Sequence, residues 1–127
     1  MSNGHILVVD DNPTNLKLVS DLLEWYGYHV SNAGDAEQAL EAIRRRMPDM
    51  ILMDIGLPGM DGLTLTRKLK AADATKRIRV VALTAFAMKG DEQKALDAGC
   101  DGYIAKPFNT RSLREQLVHF FQKEVSS

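Results

Sequence analysis

Residues 5–13 read HILVVDDNP: an apolar run, two adjacent carboxylates, then Asn12 and Pro13, which suit the cap and the first position of a helix. A run this short, bounded by polar residues and rich in Val and Ile, reads as a buried strand. Asp10 and Asp11 then stand at its C-terminal edge. Beyond Pro13, Leu16, Val19, Leu22, Leu23 and Tyr26 fall on one stripe of a helix that Gly27 ends.

The same grammar recurs along the chain. Strands are expected at HILVV (5–9), HVSN (29–32), MILMD (50–54), RVVALT (79–84) and GYIA (102–105). Three of these are almost wholly apolar, as strands covered by helices on both faces are. Helical periods fill the gaps. The second helix is expected from about Asp35 to Arg46 with Ala36, Ala39, Leu40 and Ile43 inward, stopping before Pro48. The third follows Gly62 to about Ala72, and the fourth runs from Lys89 to Ala98 with Gly99 closing it. A fifth starts near Thr110 with Leu113, Leu117, Phe120 and Phe121 on its apolar side. Strands alternating with helices in this way point to βαβ units around a parallel sheet. Of the pair Trp25 and Tyr26, one member is expected in the core and the other at the surface.

Composition bounds the possibilities. At 127 residues the chain is one domain's worth. Its formal charge of -1 gives no electrostatic footprint for nucleic acid or an anionic membrane. The Arg44–Arg46 run reads as a solvated helix end placed favourably on the dipole. Cys100 is the sole cysteine, which excludes an intrachain disulfide and suits a reducing compartment. Neither a signal peptide nor a long apolar span is evident, so the cytoplasm is the expected location. His5, His29 and His119 lack metal-ligand spacing.

In an open parallel sheet the site forms beyond the carboxyl ends of the strands. Asp10, Asp11, Asp54, Thr84 and Lys106 each stand at such an end, and the fold is expected to bring them together. Asp10 and Asp11 alone would be capping residues, and Thr84 alone a strand residue satisfying its own backbone. Their conjunction at four strand ends points to a site instead. Three carboxylates at one edge repel one another unless a cation sits among them, and a small hard dication with oxygen ligands, Mg²⁺, is the expected occupant. A carboxylate can attack a phosphoryl group to give an acyl phosphate where the charge on the transferred oxygens is neutralised. The Lys106 ammonium and the Thr84 hydroxyl are suited to contact those oxygens.

DD after the first strand, MDIGLPGMDG around Asp54, TA at Thr84 and Ala85, and KPF at Lys106–Phe108 resemble the receiver (CheY-like) domain of two-component response regulators. The resemblance covers about residues 5–122, and the loop TAFAMKGD is similar to stand-alone receivers of the DivK type. It implies a single domain over 1–127 with a flavodoxin-like, doubly wound (βα)₅ fold and strand order 2-1-3-4-5. It further implies a phosphorelay switch, not an enzyme in the ordinary sense. A histidine kinase or histidine phosphotransfer protein would supply the phosphoryl group to Asp54. Asp11 would bind Mg²⁺ directly, Asp10 through water, and Gly56 through its backbone carbonyl. Thr84 would be the switch hydroxyl, Lys106 the phosphate-binding ammonium, Lys106–Pro107 a cis peptide, and Tyr103 the aromatic that moves with Thr84. The face of the fourth helix, fifth strand and fifth helix would then engage a downstream effector protein, as monomer or as phosphorylation-promoted dimer.

Three other readings compete with this one. A haloacid-dehalogenase-like aspartyl phosphatase needs a second acid two residues after the nucleophile, where this chain has Gly56. A receiver-like module that binds partners without phosphorylation is opposed by the full set of pocket residues. With no output domain in the chain, the switch acts through surface contacts, or the chain is a receiver excised from a longer hybrid kinase or regulator.

In receivers the positions two after the acceptor Asp and two after the switch Thr line the approach of hydrolytic water, and here they are Gly56 and Phe86. Neither side chain can orient water by a hydrogen bond. A phosphoryl lifetime longer than in relatives with amide or acidic residues at both positions is expected, measured as the decay of the adduct in Mg²⁺. A fast decay unaltered by Gly56→Asn and Phe86→Glu would contradict it.

Overall fold

Parallel strands need a crossover between them, and in this chain each crossover is a helix. The computed structural model describes residues 4–54, 62–84, 91–105 and 115–117. In chain order the elements are β1 (His5–Val9), α1 (Pro13–Trp25), β2 (His29–Ala33), α2 (Ala36–Arg45), β3 (Met50–Asp54), α3 (Gly62–Ala71), β4 (Arg79–Thr84), α4 (Asp91–Ala98) and β5 (Gly102–Ala105). All strand pairs are parallel and the order is β2-β1-β3-β4-β5. The fold is therefore the flavodoxin-like one that the resemblance implied.

Alternation along each strand divides the core between the two faces of the sheet. Leu7, Val9, Ile51, Met53, Val80 and Ala82 pack under α2, α3 and α4 with Ala39, Ile43, Leu65, Leu69 and Ala95. Ile6, Val8, Met50, Leu52, Val81 and Leu83 pack on the other face with Val19 and Leu23 of α1 and Leu117 of a helical turn at 115–117. Both faces being covered explains why the central strands carry uninterrupted apolar runs.

The helix caps follow the sequence. The Asn12 side chain accepts from the backbone N–H of Thr14 at 2.9 Å and of Asn15 at 3.3 Å, with Pro13 at the first helical position. Asp35 caps α2 by accepting from Gln38 N–H at 2.8 Å. At the other end of α1, Gly27 takes φ +98°, a conformation that residues with a Cβ rarely adopt. Tyr26 is 7% exposed and Trp25 78%, the division expected of that pair. Leu16 and Leu22 are half-buried, a shallower placement than the stripe suggested. β2 runs one residue past its expected end because the Ala33 carbonyl accepts the Asp10 N–H at 3.1 Å, which extends the β1–β2 ladder. Lys89, Leu113, Phe120 and Phe121 lie outside the described residues.

A polar knot closes the N-terminal edge of the sheet. The His5 N–H donates to the Asp49 carboxylate at 2.8 Å, the Asp49 N–H donates back to the His5 carbonyl at 2.8 Å, and His5 Nε2 lies 2.7 Å from Ser31 Oγ. Burial holds the His5 imidazole below its ordinary pKa, reinforced by Arg46 and His29 and opposed by the Met47 carbonyl and Asp49. The unfolded chain protonates this ring near 6.5 and the folded chain only at lower pH. Stability is thus complete above about pH 6.5 and falls as the pH drops through the folded value, with a slope below the about 1.4 kcal/mol per pH unit of one full proton. Urea titrations between pH 7.5 and 5.5 should show this slope shrinking in His5→Gln; an equal slope in both proteins would assign the acid sensitivity to other groups.

Candidate functional site

The termini of β1 and β3 meet because those strands are neighbours, with Val9 in register with Met53. Asp10 and Asp11 follow Val9, and Asp54 follows Met53, so one step beyond the paired residues places carboxylates on adjacent strands. A ligand oxygen from each of Asp10, Asp11 and Asp54 lies within 4.8 Å of the others. Asp10 is buried, at 2% exposure, Asp54 is half-buried and Asp11 is exposed, so the cluster runs from the interior to the solvent.

Local chemistry fixes the cluster's shape. One Asp10 oxygen accepts the Asn12 N–H at 2.9 Å, which curls the chain out of β1 and into the cap of α1. The same turn that starts the helix orients the buried acid. The Asp10 N–H is held by Ala33 of β2, so the β1 end is anchored from the side opposite β3.

Three carboxylates this close suit a hard, oxygen-seeking dication. The donor set is entirely oxygen, has no sulfur or imidazole, and is open on the Asp11 side. These residues fit Mg²⁺ or a similar ion better than zinc or copper.

Thr84 ends β4 in register with Ala105 of β5, and Leu83 pairs with Ile104. β4 borders β3, where Asp54 pairs with Leu83. The backbone at Thr84 is therefore one strand away from Asp54, at the same C-terminal edge. Tyr103 lies on β5 opposite Ala82, partly buried against the α2–α3–α4 side of the core. Gly56, Lys106 and Pro107 lie outside the described residues, although Lys106 directly follows the end of β5 in sequence.

Sequence reasoning passes over one well-connected polar group. Lys70, near the end of α3, donates to the Asp101 carboxylate at 2.7 Å and to the Ile78 carbonyl at 2.6 Å. Nothing periodic links residues 31 apart in the chain, and each alone resembles a solvated charge. Among the described residues no helix is long and apolar enough to cross a membrane.

Comparison with known proteins agrees with this geometry. The family model of the response regulator receiver domain matches residues 6–118. The chain is 45% identical over 115 residues to the polar-differentiation response regulator DivK of Brucella anthropi, covering 91% of this chain and 94% of that protein. The receiver domain of sensor histidine kinase PA1611 from Pseudomonas aeruginosa, solved with a magnesium ion coordinated in its active-site cleft, is 37% identical with a TM-score of 0.84, covering 99% and 100% of the two chains. The chemotaxis protein CheY4 of Vibrio cholerae has a TM-score of 0.86 at 28% identity over 94% of this chain and 98% of its own.

Proposed function

We propose, from the premise that this chain belongs to the response regulator receiver domain family, that it is a phosphorylation-dependent switch whose acceptor is Asp54. The observation that carries the reading is the convergence of Asp10, Asp11 and Asp54 within 4.8 Å at the ends of two adjacent central strands. A structural role alone gives no reason to gather three like charges, one of them buried, at the ligand-binding edge of a doubly wound sheet.

In this reading an Asp54 carboxylate oxygen forms a bond to phosphorus as the donor's own bond to phosphorus breaks, and the electron pair leaves with the donor. The donor is a phosphohistidine on a histidine kinase or phosphotransfer protein, whose imidazole recovers a proton. Asp10, Asp11 and Asp54, with the Gly56 carbonyl, would hold Mg²⁺, which would supply charge neutralisation to the transferred oxygens. Lys106 adds a second positive charge. Thr84 donates a hydrogen bond to a phosphoryl oxygen, a contact that exists only after modification and so biases the conformational equilibrium. Tyr103, on the strand next to Thr84, follows that shift. The whole of 1–127 serves as one receiver domain in the cytoplasm, and its output is a changed face of α4, β5 and the helix that follows, read by an effector protein.

The direct test of the switch is effector or kinase affinity measured before and after phosphorylation. Thr84→Ala is expected to accept the phosphoryl group and to lose the affinity change. Equal affinity of the unaltered protein in both states would overturn the reading in favour of a constitutive binding module.

A further inference from the structure

We infer that Lys70 and Asp101 form a register clamp that positions the β5 end of the phosphoryl site from the opposite edge of the sheet, and that both are positioning residues for phosphoryl acceptance. The inference rests on the reading of Asp54 as acceptor.

β5 is the shortest strand of the sheet among the described residues. It has four residues, stands at an edge, and among the described residues pairs with β4 alone. A short edge strand is poorly fixed in register by pairing, and a slip of one residue would turn its side chains to the opposite face. Yet this strand carries Tyr103, and its last residue, Ala105, is in register with Thr84 and precedes Lys106. Its register therefore sets Tyr103 and the chain position from which Lys106 departs, two of the groups on which the proposed switch depends.

The clamp stands where the strand begins. The Asp101 N–H donates to the Val80 carbonyl at 2.7 Å, and the Val80 N–H donates back to the Asp101 carboxylate at 2.9 Å. The same carboxylate oxygen accepts from Lys70 Nζ at 2.7 Å. Lys70 also donates to the carbonyls of Ile78 at 2.6 Å and Lys76 at 3.3 Å, which close the segment entering β4. One ammonium thus ties the end of α3 to the starts of both β4 and β5. Side-chain exposures of 20% for Lys70 and 35% for Asp101 set this pair apart from the exposed helix pairs such as Lys17–Asp21.

Gly99 shows how closely the parts approach. A Cβ at Gly99 would stand 2.9 Å from Lys70 Cγ, and the glycine holds φ +107°. The α4–β5 turn is therefore moulded around the lysine stem. A charge-assisted pair that also replaces a ladder acceptor for Val80 allows a single register of β5.

The experiment compares wild type, Asp101→Ala and Lys70→Met, the second retaining the apolar stem beside Gly99. Three quantities are read at a temperature where all are folded: the rate of adduct formation with acetyl phosphate, Mg²⁺ affinity, and hydrogen exchange at individual amides. Because Asp10, Asp11 and Asp54 come from β1 and β3, Mg²⁺ affinity should stay within about twofold. Adduct formation should slow by about tenfold or more, as misplacement of a positioned group does. Loss of amide protection should be confined to Tyr103 and Ile104. Wild-type rates and wild-type protection of Tyr103 in both variants would overturn the clamp. So would a fall in rate, Mg²⁺ affinity and protection on all strands together, which would show a general stabilising role. A wild-type protein that forms no adduct would refute the acceptor reading, and the exchange pattern at Tyr103 and Ile104 would still decide the clamp.

Discussion

Asp54→Asn is expected to abolish transfer from a phosphorylated histidine donor while leaving the fold unchanged. Asparagine keeps the shape of the side chain and its neighbours on β3, but its amide is no nucleophile toward phosphorus, so the loss should reach at least about 10³-fold, within the range seen when an enzyme nucleophile is removed. The fold should survive because Asp54 is half-buried at a strand end and belongs to neither apolar cluster. Removing one of three mutually repelling charges should hold or raise stability in the absence of metal. Transfer from a labelled phosphotransfer protein, with far-ultraviolet circular dichroism as the folding control, checks both halves. Transfer to a folded Asp54→Asn protein at the wild-type rate would place the acceptor elsewhere.

Leu52→Ala carries the largest expected loss of stability. Leu52 is fully buried in the central strand, paired with Val8 on one side and Val81 on the other, and packed with Val19 and Leu23 of α1. Strands bonded on both sides cannot easily collapse into the space, so the cost should be about 3 kcal/mol and the fall in Tm about 10 °C. Calorimetry or a urea titration reads it directly. A change under 1 kcal/mol, roughly the cost of a well-accommodated swap, would mean that the sheet and α1 repack.

Both predictions draw on parts of the chain whose amino-acid pattern is legible by itself. ILVV, MILM and VVAL are continuous apolar runs because helices cover both faces of the sheet, and such runs mark central strands. Asn12–Pro13 and Asp35 mark helix starts because capping is local chemistry, decided within three residues. Asp10, Asp11 and Asp54 can be placed at one edge because the ends of parallel strands necessarily share it. The order β2-β1-β3-β4-β5 is another matter: alternating strands and helices establish crossovers but do not say which strands become neighbours, and that order follows from the resemblance to receivers.

Contact between polar residues far apart in the chain leaves no trace in the pattern. His5 joins Ser31 and Asp49, and Lys70 joins Asp101, across separations that no periodicity records. His5 has no metal-ligand spacing in the sequence, and in the fold it is a buried, hydrogen-bonded ring beside a serine and an aspartate. Lys70 and Asp101 look like ordinary surface charges because a sequence shows charge and hides the partner. The extension of β2 to Ala33 likewise depends on a carbonyl that bonds Asp10, a residue that follows another strand.

The most direct measurement of the central claim is the intact mass of the wild-type protein after incubation with acetyl phosphate, in Mg²⁺ and in a chelator. One phosphoryl adduct formed in Mg²⁺ and none in the chelator is the expected result. A folded protein that binds Mg²⁺ and forms no adduct in either condition would contradict it.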